Sequence, residues 1–201
     1  MKLQSLTLEQ CEQVRLWRNE CLETLRTPYP LTKEIQAEFY HDTICNRNSP
    51  HRYWAIVRSM KDERKGVEKI ADWAGVPEEM FIGMGGLTGI QWENRLAEIS
   101  LIIDPALREK GYGEKSVDLL LDAAFNQMGL NCVYGECYSC NEARVFWGKI
   151  ADKYNGNKMI LRARKFWQGK FWDSLYFDIL KKEYDKMKPQ PTSAPDEEET
   201  S

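Results

Sequence analysis

The chain is short of several things that define whole classes of protein. It has no apolar run near the roughly 20 residues a membrane helix needs, and no basic segment leading into a long apolar stretch at its start. A membrane protein or a secreted precursor is therefore not the expectation, and a soluble cytoplasmic protein is. Histidine is scarce: there are two, His41 and His51, in 201 residues. Cys137 and Cys140 have the spacing of half a zinc or redox motif, but no second pair accompanies them, so no metal site is expected. The six cysteines read as reduced core residues rather than a disulfide framework. No base stands near Cys140 in sequence to activate it as a nucleophile.

What is present suits one domain with a substantial core: 42% hydrophobic and 29% charged residues. The net charge of −3 is uneven, because Asp196–Glu199 carry −4 and the rest sums to about +1. With Pro189, Pro191 and Pro195 and no apolar periodicity, residues 189–201 read as a disordered acidic tail after a domain spanning 1–188. Lys61–Glu79, highly charged and carrying Gly75-Val76-Pro77, reads as a surface insertion between strands rather than a lid.

Thr7 and Gln10 form a capping-box pattern opening a helix with Val14, Trp17, Cys21 and Leu25 near one face, which Thr27-Pro28-Tyr29-Pro30 should end. Thr32 can cap a second helix from Lys33 to about Cys45, and Tyr53–Val57 should be a strand. In the terminal run Arg162, Arg164, Lys165, Phe166, Trp167, Lys170, Phe171, Trp172, strand alternation should give one core face and one solvated face. A nucleic-acid surface, which such a basic and aromatic run can also form, is the less favoured reading.

The most informative stretch is Arg108-Glu109-Lys110-Gly111-Tyr112-Gly113. The apolar, β-branched run Leu96–Ile103 precedes it, and Val117, Leu120, Leu121, Ala124 and Met128 follow at helical spacing. Glycines on either side of one residue let the backbone turn tightly, and the helix start supplies amide groups and a positive dipole end, so a phosphate-bearing ligand fits.

This strand, Arg-x-x-Gly-x-Gly loop and helix, following a glycine-rich strand at Phe81–Leu87 and a turn at Trp92–Arg95, resembles the acetyl-CoA pyrophosphate loop of the GNAT superfamily of N-acetyltransferases. The strand Cys132–Tyr138 and Asn141, which opens a further helix, resemble that family's next acetyl-CoA contact. Trp17-Arg18-Asn19 and the strands of Met159–Asp173 followed by Tyr176–Leu180 resemble the ribosomal-protein and spermidine acetyltransferase branches.

The resemblance implies an α/β fold of the GNAT type: a mixed, twisted sheet of about seven strands with helices on both faces and the cofactor between two splayed central strands. It implies acetyl-CoA as acyl donor, with Ile102, Ile103, Arg108, Lys110, Gly111, Tyr112, Gly113 and Asn141 as its contacts. The reaction is direct acetyl transfer to a primary amine of a protein, polyamine or amino sugar, and a homodimer is compatible with the family. Arg18, Asn19, Glu98 and Trp147 are the substrate-side candidates. Glu98, on the strand beside the cofactor, is the candidate to bind or deprotonate an ammonium; a plain solvent-facing glutamate is the alternative.

One departure matters. Many relatives carry a tyrosine six to seven residues beyond the asparagine matching Asn141, where this chain has Phe146-Trp147-Gly148. Tyr138, Tyr154 or water must then supply the leaving-group proton, with Tyr138 the first choice. The same departure motivates the alternative of an acyl-CoA-binding module without turnover, and the basic hairpin that of a GNAT-like nucleic-acid base-modifying enzyme.

Overall fold

The computed structural model describes residues 1–27, 29–59 and 78–187. The charged insertion, apart from Glu78 and Glu79, and the acidic tail lie outside the described residues.

Seven strands form one sheet in the order β1-β2-β3-β4-β5-β7-β6. They are β1 (Lys2–Gln4), β2 (Arg52–Ser59), β3 (Glu79–Gln91), β4 (Leu96–Ile103), β5 (Cys132–Tyr138), β6 (Asn157–Trp167) and β7 (Lys170–Leu180). Every neighbouring pair is antiparallel except β4 and β5, which are parallel. A parallel pair needs a crossover, and the helix α3 (Tyr112–Asp122) provides it.

Helices cover both faces. On one side α1 (Leu8–Asn19) packs Cys11, Val14 and Trp17 against Ala55, Val57 and Met84, with Ile102 at the border, and α2 (Lys33–Phe39) is joined to α1 by the buried Gln36, whose amide donates to the Cys11 carbonyl at 3.0 Å. On the other, α3 and α4 (Ala143–Lys153) bury Val117, Leu120, Leu121, Ile150 and Ala151 against Leu87, Ala97, Ile99, Val133 and Phe177. Each fully buried aliphatic side chain there contributes about 1.5–3 kcal/mol. A short α5 (Lys181–Met187) closes the chain, with Tyr184 packed on Phe125 at 5.1 Å.

Gly86 permits a close approach that shapes one chamber wall: a Cβ there would stand 2.4 Å from the Tyr53 ring, so the ring lies directly on the β3 backbone.

Local signals held where the chain supplies its own partners. The Thr7 hydroxyl accepts from the Gln10 N–H at 3.3 Å while the Gln10 side chain accepts from the Thr7 N–H at 3.0 Å. Thr32 caps α2 as expected, and a π-helical turn, Tyr40–Ile44, completes that segment. Two expectations need correcting. α1 stops at Asn19 instead of running to Thr27, and Cys21 and Leu25 flank a 3-10 turn. The reason is tertiary: both ends of the Asn19 side chain bind the Leu31 backbone, at 3.0 and 2.8 Å, and Arg15 adds a third bond to the Leu31 carbonyl. The segment Tyr176–Leu180 is the second half of β7.

The terminal hairpin alternates only in part: Lys165, Trp167, Trp172 and Ser174 are covered while Arg164, Phe166, Phe171 and Asp173 are exposed, but the start of β6 is exposed on both faces. Most of β6 is exposed, and between Leu161 and Lys165 its register against β7 shifts, with Ala163 at φ 54° and its N–H held by the Asp173 carboxylate at 2.9 Å. A bulge of this kind re-aims the side chains beside it. Beyond it Lys165 faces inward, at 7% exposure, and Arg164 reaches Glu136 on β5.

Candidate active site

β4 and β5 pair over only three positions, Leu96 with Cys132, Ala97 with Val133 and Glu98 with Tyr134. β4 then continues to Ile103 along β3, and β5 to Tyr138 along β7, without pairing each other. The strands therefore diverge, leaving the β4 edge from Ile99 to Ile103 free of strand partners among the described residues.

The Arg108–Gly113 loop follows the open end of this wedge. Leu107 anchors it in a small core with Ile56, Ile82 and Ile103, and Lys110 donates from Nζ to the Ala106 carbonyl at 3.0 Å. Glu109 and Gly111 both have left-handed backbones, φ 62° and 77°, and Gly111 is the N-cap of α3. A glycine cap offers no side-chain acceptor, so the first amides of α3 are presented to a ligand anion. Gly113 lets Phe146 approach: a Cβ there would be 3.2 Å from its ring. Arg58 donates to the Tyr112 hydroxyl and lies 5.4 Å from that ring's centre, which fixes the loop's last aromatic in place.

Asn141 uses its side-chain oxygen to accept from the Ala143 N–H at 2.9 Å, opening α4 beyond the end of β5. Its amide N–H groups are left for other acceptors.

At the closed end of the wedge, strand alternation puts Glu98 on the α1/α2 face, with Tyr134 opposite it in the ladder and Glu136 and Tyr138 following on the same side of β5. The two carboxylates are nearly buried, with side chains 16% and 12% exposed. Arg26, on the α1–α2 connection, bonds both oxygens of Glu98 and reaches Glu136 at 3.6 Å. Glu136 also takes a bond from the Ser174 hydroxyl at 2.7 Å and one from Arg164 at 3.0 Å. Burial alone would raise the Glu136 carboxyl, but the bonds from Ser174 and Arg164 and the charges of Arg164 and Arg26 outweigh it and hold it below the usual value.

The connection carrying Arg26 is pinned from across the sheet. The buried Lys165 ammonium donates to the carbonyls of Glu23 and Leu25, both at 2.5 Å, and stands 5.1 Å from the ring centres of Tyr138 and Trp167. Burial lowers the Lys165 pKa, and the neighbouring Cys140 and Glu23 offset part of that.

Three tyrosines lie near Glu98, and Tyr138 lies near Arg26 and Glu136. Tyr53, Tyr134 and Tyr176 all have phenols raised first by burial and further by the Glu98 charge, while Arg18 and Arg26 pull Tyr53 the other way. The Tyr138 phenol is raised by burial against the pull of Arg26. It is therefore held protonated at neutral pH.

The structure thus gathers Glu98, Glu136 and Tyr138 around Arg26, sets Arg18 near Tyr53, and separately forms the Arg108–Gly113 loop and the Ile102–Ile103 edge. Asn19 is committed to Leu31. Trp147 lies on the other face, stacked on Phe177 at 5.3 Å and against Phe146 at 5.0 Å, apart from the carboxylates. Tyr154 is taken out of the wedge: its hydroxyl donates to Asp118 at 2.5 Å on the α3 side. Burial pushes the Cys137 thiol up to about 12, so it stays protonated, and all six cysteines are free thiols. No cluster of three or more metal-ligating side chains occurs among the described residues, and no helix there is long and apolar enough to cross a membrane.

Sequence reasoning missed Glu136, Arg26, Arg164 and Lys165. Glu136 was legible, since Tyr134, Glu136 and Tyr138 alternate with Val133, Gly135 and Cys137. The three cations had no local signal.

Known proteins agree with this geometry. The family model described as acetyltransferase (GNAT) domain matches residues 2–145. A spermidine N-acetyltransferase from Vibrio cholerae, solved with CoA and spermine, superposes with a TM-score of 0.72 at 19% identity, covering 91% of this chain and 96% of that one. A structure of the Vibrio cholerae spermidine/spermine N-acetyltransferase SpeG with manganese ions gives 0.69 at 18%, covering 94% and 96%. At such identities the likeness establishes the fold. A search of curated proteins finds no match.

Proposed function

Because the chain belongs to the GNAT acetyltransferase family, we propose that the wedge between β4 and β5 takes acetyl-CoA and that Glu98, at its closed end, receives the acceptor ammonium. The observation that carries this is the end of β4–β5 pairing at Glu98 and Tyr134, which leaves an unpaired strand edge leading from a buried carboxylate to an anion-binding loop.

The residues present fit the donor. The amides of Gly111, Tyr112 and Gly113 with the charges of Arg108 and Lys110 would hold the pyrophosphate, the Ile102–Ile103 edge would pair with the amide-bearing arm, and Asn141 would donate to it. When bound, acetyl-CoA supplies an acyl group activated as a thioester.

The chain's own residues handle protons and position. A primary amine with a pKa near ~10 arrives as an ammonium, and Glu98 binds it and accepts the proton that must leave before nitrogen can attack. Tyr138 keeps its proton at neutral pH and is the candidate donor to the departing thiolate. Trp147, stacked on Phe177, closes the wedge on the α4 face against water, while Asn19 and Lys165 hold the connection that roofs the acceptor side. Spermidine enters the acceptor set because the similar structures are spermidine N-acetyltransferases, beside protein amines and amino sugars.

The test is CoA-thiol release on mixing the protein with acetyl-CoA and a panel of such amines. Release that depends on the amine, and disappears in Glu98→Gln with acetyl-CoA binding intact, supports the reading. Acetyl-CoA binding without amine-dependent release supports the binding module instead.

A further inference from the structure

The charges around Glu98 do not suit a polycation. The two nearly buried carboxylates, Glu98 and Glu136, already have guanidinium partners: Arg26 bonds Glu98 and reaches Glu136, and Arg164 bonds Glu136. Glu23, exposed at the rim, draws on Lys165 as a weaker attraction only. Arg18 makes no ion pair among the described residues and lies near the Tyr53 phenol and the Cys21 thiol. Lys165 is met by backbone carbonyls rather than by a carboxylate.

An ammonium entering this chamber must displace the Arg26 guanidinium from Glu98. Lys165 pins the Leu22–Leu25 turn beside it, so Arg26 remains over the site after giving up that contact. The side chains of Arg26 and Arg164 are 55% and 50% exposed, so their outer edges already face an incoming molecule. A second positive charge on the acceptor would then meet guanidinium groups, whereas a negative one would restore the balance that the ammonium disturbed and take up the freed donors of Arg26. Guanidinium is suited to this because its planar fork matches carboxylate and phosphate oxygens.

We propose that the acceptor is a primary amine bearing an anionic group, a carboxylate or phosphate a few bonds from the nitrogen, with the ammonium on Glu98 and the anion on Arg26 and Arg164. This rests on the acetyl-transfer reading of the same site and narrows its substrate class.

Three amines of equal length separate the charge from the chain: aminopropanol, β-alanine and aminopropyl phosphate, with spermidine as the polycation. Wild type should acetylate β-alanine or aminopropyl phosphate with kcat/KM at least about tenfold above aminopropanol, the scale of one charge-assisted hydrogen bond, and spermidine should fall below both anionic acceptors. Which anion leads identifies a carboxylate or a phosphate acceptor. Arg164→Gln, which leaves the Glu98 contacts in place, should bring the ratio to aminopropanol toward one. The same order should appear in thermal stabilisation of the CoA-loaded protein by each amine. Equal rates for the three propyl amines, or spermidine as the best acceptor, overturn the anionic assignment while leaving acetyl transfer standing. No thiol release with any amine overturns the acetyl-transfer reading itself, and this proposal with it.

Discussion

Arg26 sets two guanidinium nitrogens on the two carboxylate oxygens of Glu98, across a sequence separation of 72 residues. The side chain expected to accept the proton is thus already engaged by a cation of the chain itself. Binding of an ammonium at this position would be an exchange of cations rather than the filling of an empty acid site. Glu98→Gln keeps the shape and removes the basicity, so kcat should fall about 10²-fold or more with acetyl-CoA affinity unchanged. Unchanged kcat across pH in the variant would show that Glu98 is a structural partner of Arg26.

The loop makes a separate prediction. Gly111 has φ 77° with open space where a Cβ would stand, so Gly111→Val meets backbone strain of about 1–2 kcal/mol rather than a clash. Acetyl-CoA at about 100 times its dissociation constant should stabilise the wild type by about 2.7 kcal/mol, and the variant should lose that gain while still folding. Thermal melts with and without acetyl-CoA measure both.

Tyr138 and Trp147 divide the question of the leaving group. Tyr138→Phe should lower kcat by about 10²-fold, the usual cost of removing a proton donor, without weakening acetyl-CoA binding. Trp147→Tyr should stay near wild-type turnover, because Trp147 stacks on Phe177 away from the carboxylates, and should cost stability instead. Full turnover in Tyr138→Phe would assign the protonation to water.

Glu136 gives a pH signature. Its carboxyl is lower in the folded protein than the ordinary value of 4.5, so the folded state binds this proton less readily than the unfolded chain. The resulting stability is fully present above about 4.5 and is lost as pH falls through the depressed value. Glu136→Gln should therefore flatten the acid side of the melting-temperature profile, leaving its slope above pH ~6 unchanged. Parallel acid limbs for the two proteins would count against this pairing.

How legible the site was follows from how local its determinants are. The Leu96–Ile103 strand, the glycine loop and the amphipathic helix after it occupy one continuous stretch, and each carries its own signal: apolar β-branched residues, left-handed glycine, helical spacing. Asn141 and Thr7 are equally local, because each binds a backbone amide two or three residues away. Arg26 and Lys165 were silent for the opposite reason. Their partners are 72 and about 140 residues distant, and nothing in the neighbouring sequence marks Lys165, flanked by the exposed Arg164 and Phe166, as the cation that turns inward. Trp147 looked like a pocket residue by its spacing from Asn141, yet the ring finds its partner in Phe177, which only the sheet brings near.

The most direct test of the account follows both products of one reaction. Purified protein with acetyl-CoA and a primary-amine acceptor should release one CoA thiol for each acetylated amine, with the acetyl group on the acceptor nitrogen by mass spectrometry, none retained on the protein, and the rate abolished in Glu98→Gln. Thiol release without an acetylated amine, an acetyl group left on the chain, or a fully active Glu98→Gln variant would contradict direct transfer at this carboxylate.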